Sequence, residues 1–163
     1  MVEKVEESMR VCGGSPMGTH LVFSAHSLPM SVVQAGDPYP HQVKATMEAI
    51  MRRGGWSLPY TLCYQSKVGA TRWLGPYLHA TLKELASKGV QQVCVVPISF
   101  VSDHVETLNE INIEARKQAG CLGIRNFTMV AGLNDSPKFI AALADLVVNA
   151  VGAETIEVVG TTV

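Results

Sequence analysis

Hydrophobic positions along this chain alternate between two rhythms. Residues 20–25 form a mainly apolar run and read as a buried strand. Residues 60–64 and 91–98 repeat that character, and 126–131 supply a fourth such run. Between these runs the apolar residues fall at helical spacing. Val43, Met47, Ile50 and Met51 mark a helix over 41–53, closed by Gly54-Gly55. A second helix opens at Pro76 and ends at Lys88, with Gly89 just past it. A third covers about 103–117, and a fourth starts at Ser136-Pro137 and runs to Val151. Val2, Val5 and Met9 predict a short amphipathic helix over 2–11. Residues 12–18 and 27–40 are glycine- and proline-rich and read as loops. The tail, 156–163, is expected to be a short strand or disordered.

Strand and helix alternate four times. That order predicts an α/β fold, a parallel four-stranded sheet with helices on both faces in a Rossmann-type three-layer sandwich. The expected organisation is an N-terminal helix and loop over 1–18, one α/β domain over 19–152 and a tail over 153–163. In a parallel sheet the loops after strands one, two and three lie on one edge, where open α/β sheets place their sites. His26, Trp73 and the acidic start of the third helix are therefore expected to converge.

Composition narrows the classes. At 163 residues, 47% of them apolar, the chain suits one compact domain. A formal net charge of −1 gives no nucleic-acid or membrane-surface footprint. No apolar run approaches the ~20 residues that span a bilayer. The acidic start, Met1 to Glu7, lacks the features of a signal or transit peptide. Cys12, Cys63, Cys94 and Cys121 are scattered, with no C-x-x-C pair, so no zinc ribbon or iron–sulfur site is signalled. Cys63 and Cys94 fall inside strand patterns and are expected to be buried thiols in a reducing compartment. No G-x-G-x-x-G follows a strand, and no Walker A or G-x-S-x-G motif occurs.

The third helix is unusual. Asp103, Glu106, Glu110 and Glu114 are spaced by three and four, so one helix face can carry all four carboxylates. Like charges at that spacing repel unless something positive sits against them. Asp103 and Glu106 also have the spacing of a capping box, which explains those two alone. His26 directly follows the first strand. A histidine there is ordinarily a hydrogen-bonded structural residue; facing a glutamate, it can accept protons and touch a divalent metal. Trp73, Met30 and Phe100 read either as core or as the flat apolar wall of a pocket for an aromatic ligand.

Three stretches resemble the ferrochelatase family. They are Phe23-Ser24-Ala25-His26-Ser27-Leu28-Pro29 with Gly36-Asp37-Pro38-Tyr39-Pro40; Tyr64-Gln65-Ser66-Lys67-Val68-Gly69 with Trp73-Leu74-Gly75-Pro76; and Val96-Pro97-Ile98-Ser99-Phe100-Val101-Ser102-Asp103-His104-Val105-Glu106-Thr107-Leu108. They stand in the family's order and spacing, and the resemblance covers about 19–151. It implies a chelatase-like fold and insertion of ferrous iron into protoporphyrin IX, the last step of heme synthesis. It also implies His26 and Glu106 as catalytic and metal-contacting residues. Trp73, Ser24, Met30 and Phe100 would meet the porphyrin. Asp103, His104, Glu110 and Glu114 would form a metal or proton path, on a helix that has π-type turns in the family. Iron is then a substrate, and neither a resident cofactor nor an iron–sulfur cluster is expected. The implied location is the matrix side of the mitochondrial inner membrane in a eukaryote, with peripheral membrane association of the complete enzyme, and the cytoplasm otherwise.

The chain also departs from the family. It resembles only the second half of proteins about twice as long, and is expected to be a fragment of such an enzyme. Asn109 and Asn112 replace the usual residues, and Ala70 replaces a proline. Two alternatives follow: a half-length chelatase for another metal that dimerises to build its cleft, or a non-catalytic porphyrin- or heme-binding module.

Overall fold

The computed structural model describes residues 1–11 and 18–152. The elements run α1 (Val2–Val11), β1 (His20–His26), α2 (Met30–Gln34), α3 (Tyr39–Gly54), β2 (Tyr60–Gln65), α4 (Leu78–Ser87), β3 (Gln92–Pro97), α5 (Val105–Thr107), a π-helix (Leu108–Ala115), α6 (Arg116–Cys121), β4 (Asn126–Met129) and α7 (Pro137–Val151). The four strands form one parallel sheet in the order β2-β1-β3-β4. The chain reverses its direction of winding between β1 and β3, so a crevice opens past their carboxyl ends.

Alternation along the central strands sorts the core into two layers. Val22, Val93 and Val95 join Leu78, Leu82 and Leu85 of α4, Ile111 and Ala115 of the π-helix and Ala119 of α6. Leu21, Phe23, Cys94 and Val96 meet Val5 and Met9 of α1 and Met47, Ile50 and Met51 of α3. Both faces are covered, which is why the central strands read as nearly continuous apolar runs. Cys63 and Cys94 are buried, as expected, and burial pushes the Cys63 thiol up to about 12.

Residues Met1–Gly132 form one compact unit, and Leu133–Val163 form a second. In the second unit α7 begins at Pro137 and ends at the left-handed Gly152, and it buries none of its residues. The expected tail, 153–163, lies outside the described residues.

Several expectations are corrected. The turn-rich 27–40 segment contains α2, and α3 begins at Tyr39, two residues early. Pro76 does not open a helix: it follows a cis Gly75–Pro76 bond, and α4 starts at Leu78. The acidic helix starts at Val105, not Asp103, and runs as a three-residue α turn, a π-helix and α6, with the π-type turns that the resemblance implied. The wide i→i+5 turns keep Ile111 and Ala115 in the core. The Arg116 guanidinium braces the far end of this segment. It donates to the Asn112 carbonyl and side-chain oxygen and, at 2.5 Å, to the Phe127 carbonyl of β4.

Candidate active site at the carboxyl edge of the sheet

His26 ends β1, two residues beyond Ser24, which pairs with Pro97 at the end of β3. The imidazole therefore stands at the mouth of the crevice. Its Nδ1 lies 2.6 Å from the Ser27 carbonyl, which can only accept. Nδ1 thus carries a proton, and Nε2 is turned to Glu106, 3.3 Å from Oε1. Both side chains are part-exposed, 41% for His26 and 35% for Glu106, so a ligand in the crevice can reach them.

His104 sits beside this pair with the opposite polarity. It is the N-cap of α5, and its Nδ1 accepts from the Glu106 N–H at 3.3 Å. The Thr107 hydroxyl completes the cap: it donates to the His104 carbonyl at 3.1 Å and lies 3.3 Å from the His104 N–H. The cap fixes the first turn that carries Glu106. The largely buried Phe100 ring packs between the two imidazoles, with centroids 6.0 Å from His26 and 5.3 Å from His104. The expected capping box was Asp103 with Glu106. That assignment fails because Asp103 stands in the loop before the helix, where its carboxylate accepts from the Gly132 N–H at 2.9 Å.

Glu110 and Glu114 follow along the π-helix. Glu110 Oε2 accepts from Ser66 N at 2.9 Å, Ser66 Oγ at 3.1 Å and Gln65 Nε2 at 3.2 Å. Ser66 holds a left-handed conformation, φ 64°, which brings these donors to one point. Glu114 is exposed and accepts from Asn109 Nδ2 at 3.1 Å. Both glutamates line a recess of about 280 Å³ with Lys67, Tyr77, His79 and Gln118. Among the described residues no cluster of three or more His, Cys, Asp or Glu could hold a metal ion.

Ser24, expected to meet the porphyrin, faces inward. It is fully buried, and its hydroxyl donates to Gln65 Oε1 at 2.6 Å. Trp73 and Met30 do lie together, because residues 72–74 bond to 28–30 through Met30 N to Arg72 O, Leu74 N to Leu28 O and a Pro29–Trp73 bridge. The Trp73 indole N–H is buried and has no partner among the described residues. Two residues not expected at the site, Tyr39 and Ser99, bond the backbone of His26. The only sequence signal for Tyr39 was Asp37 before it, whose carboxylate accepts the Tyr39 N–H at 2.8 Å.

The ferrochelatase family model matches residues 1–151. This chain belongs to the ferrochelatase family. It is 48% identical over 148 residues to a ferrochelatase of Synechococcus sp. strain RCC307, covering 90% of this chain and 38% of that protein. The figure is 52% over 133 residues for the ferrochelatase of Synechococcus sp. strain JA-3-3Ab, covering 81% and 39%. It is 50% over 130 residues for the mitochondrial ferrochelatase of Xenopus laevis, covering 79% and 32%. The chain thus spans about a third to two fifths of the length of these relatives. They include bacterial and mitochondrial proteins, so a mitochondrial address does not carry over to this chain. The fold also matches a CbiX protein of Marinobacter aquaeolei, assigned to cobalamin (vitamin B12) biosynthesis. The TM-score is 0.53 at 13% identity, covering 82% of this chain and 98% of that one. That likeness supports the chelatase-type ferrochelatase fold and nothing further. No helix of the described residues is long and apolar enough to cross a membrane.

Proposed function

We propose that this chain carries the metallating edge of a ferrochelatase, which inserts ferrous iron into protoporphyrin to give protoheme. The observation that carries this reading is the His26 Nε2–Glu106 Oε1 approach of 3.3 Å at the winding reversal of the sheet. Metallating a porphyrin removes two protons from pyrrole nitrogens and strips water from the cation. An imidazole with its Nδ1 proton committed to Ser27 presents Nε2 as the acceptor for a proton. Glu106 stands beside it as the first onward acceptor, and the same two atoms are the donors that an arriving cation would meet. Trp73 and Met30 supply an apolar surface for the macrocycle. His104 and the Thr107 hydroxyl hold Glu106 in place through the helix cap.

Two proton acceptors suffice for the two pyrrole protons, so the reading needs no resident metal. The test is anaerobic insertion of Fe(II), or Zn(II) as a surrogate, into protoporphyrin by this chain, followed by absorbance. Metallation above the metal-only background, lost in His26→Ala, supports the reading. If the chain binds porphyrin yet metallates no faster than that background, it is an incomplete enzyme; metallation unchanged in His26→Ala overturns the reading.

A further inference from the structure

The peptide groups on both sides of His26 are clamped by hydroxyls from two other elements. The His26 N–H donates to Ser99 Oγ at 2.7 Å. The Tyr39 hydroxyl donates to the His26 carbonyl at 2.9 Å. The two hydroxyls thus hold, one on each side, the two peptide groups that flank His26.

Each partner is itself held by the fold. Tyr39 is the first residue of α3, and Asp37 accepts its N–H. Val43, one turn on, is buried with Ala25 and Tyr64, which fixes where Tyr39 points. Ser99 follows β3, where the Ile98 N–H donates to the Ser24 carbonyl at 2.9 Å. The peptide whose carbonyl Tyr39 holds is pinned at its other end too, with the Ser27 N–H on the Gln65 carbonyl at 2.8 Å. Burial holds the Tyr39 hydroxyl above its ordinary value, so it stays a donor through the neutral range.

We infer that Tyr39 and Ser99 are positioning residues that set the His26 imidazole by locking its backbone at the junction of β1, β3 and α3. With that backbone fixed, Nδ1 reaches the Ser27 carbonyl and Nε2 faces Glu106. Neither hydroxyl needs to touch a ligand. The inference rests on the proposed metallation only for its effect on rate; its effect on the imidazole is independent.

The test uses the full chain labelled with 15N-histidine, with the His26 signals assigned by comparison with His26→Asn. In the wild type His26 reports the Nδ1–H tautomer. Tyr39→Phe and Ser99→Ala each remove one of the two hydroxyl clamps and are expected to leave His26 sampling both tautomers. Ser99→Thr, which keeps the hydroxyl, restores the wild-type signal. Where the chain metallates protoporphyrin, kcat falls about tenfold in Tyr39→Phe with KM for the porphyrin unchanged. A wild-type tautomer signal in both Tyr39→Phe and Ser99→Ala overturns the inference, whatever the activity. Loss of the tautomer in a chain that never metallates upholds the inference and removes the function built on it.

Discussion

The carboxylate of Glu110 and the backbone N–H of Ser66 are joined at 2.9 Å across 44 residues of sequence. The same carboxylate oxygen takes the Ser66 hydroxyl and the Gln65 amide, and Gln65 in turn accepts from Ser24. One polar chain thus runs from β1 through the end of β2 to the π-helix. Replacing Glu110 with alanine strands three donors and is expected to cost about 1–3 kcal/mol of stability. Glu114→Ala, on an exposed side chain, should stay within about 0.5 kcal/mol. Urea unfolding of the two variants checks the contrast, and equal losses would mean that the Glu110 contacts contribute nothing specific.

The His26–Glu106 pair is expected to govern chemistry and not folding. His26→Ala and Glu106→Ala should each lower metallation at least about 100-fold. Both residues are part-exposed, so urea midpoints should move little. Near-normal metallation in both variants would remove these residues from the reaction.

Gly132 lies hard against the loop that precedes Glu106. A Cβ built there would stand 2.8 Å from Asp103 N and 2.8 Å from the Ser102 carbonyl carbon. Both are backbone atoms and cannot swing aside. Gly132→Ala is therefore expected to cost about 1–3 kcal/mol and to shift the amide resonances of Ser102 and Asp103. An unshifted loop with unchanged stability would contradict that packing.

His20, at the opposite edge of the sheet, gives the fold a pH dependence unrelated to the site. Burial first, and then Lys88, hold its pKa below the ordinary 6.5. The unfolded chain consequently takes up the proton first as pH falls. Stability from neutral His20, bonded to Thr61 Oγ1 at 2.8 Å, is complete above 6.5 and is lost through the window below it. Urea midpoints between about pH 7.5 and 5 should fall more steeply in the wild type than in His20→Gln. Parallel slopes would show that His20 does not carry the effect.

Much of the fold was readable because the central strands are covered on both faces. Leu21–Ala25 and Val93–Val96 therefore stand out as apolar runs whatever their neighbours. His26 and Glu106 were readable for a related reason: each follows closely on a strand that the sheet order brings to one edge. Ser24 was read at the site because its motif was taken as a block, while strand alternation turns it inward onto Gln65. Asp37 was the one signal for Tyr39 and Ser99 had none, since a hydroxyl that holds another residue's peptide has no spacing rule. The π-helix was equally invisible in the residues themselves. Nothing between Leu108 and Ala115 is a glycine or a proline, and the wide turns are set by which residues the sheet and Arg116 hold.

Those wide turns change what a deletion would do. A π-helix can be viewed as an α-helix that has absorbed a surplus residue. Removing a single residue from Leu108–Ala115 would let the segment close into ordinary α-turns. Everything after the cut would keep nearly its present phase, because the surplus residue is what the wide turns take up. Glu106 would stay beside His26, and Arg116 and the face buried by Ala119 would stay against the sheet. Only the side chains inside the widened stretch, Glu110 among them, would be re-aimed. The surplus residue therefore sets the route along the helix and not the packing at either end of it.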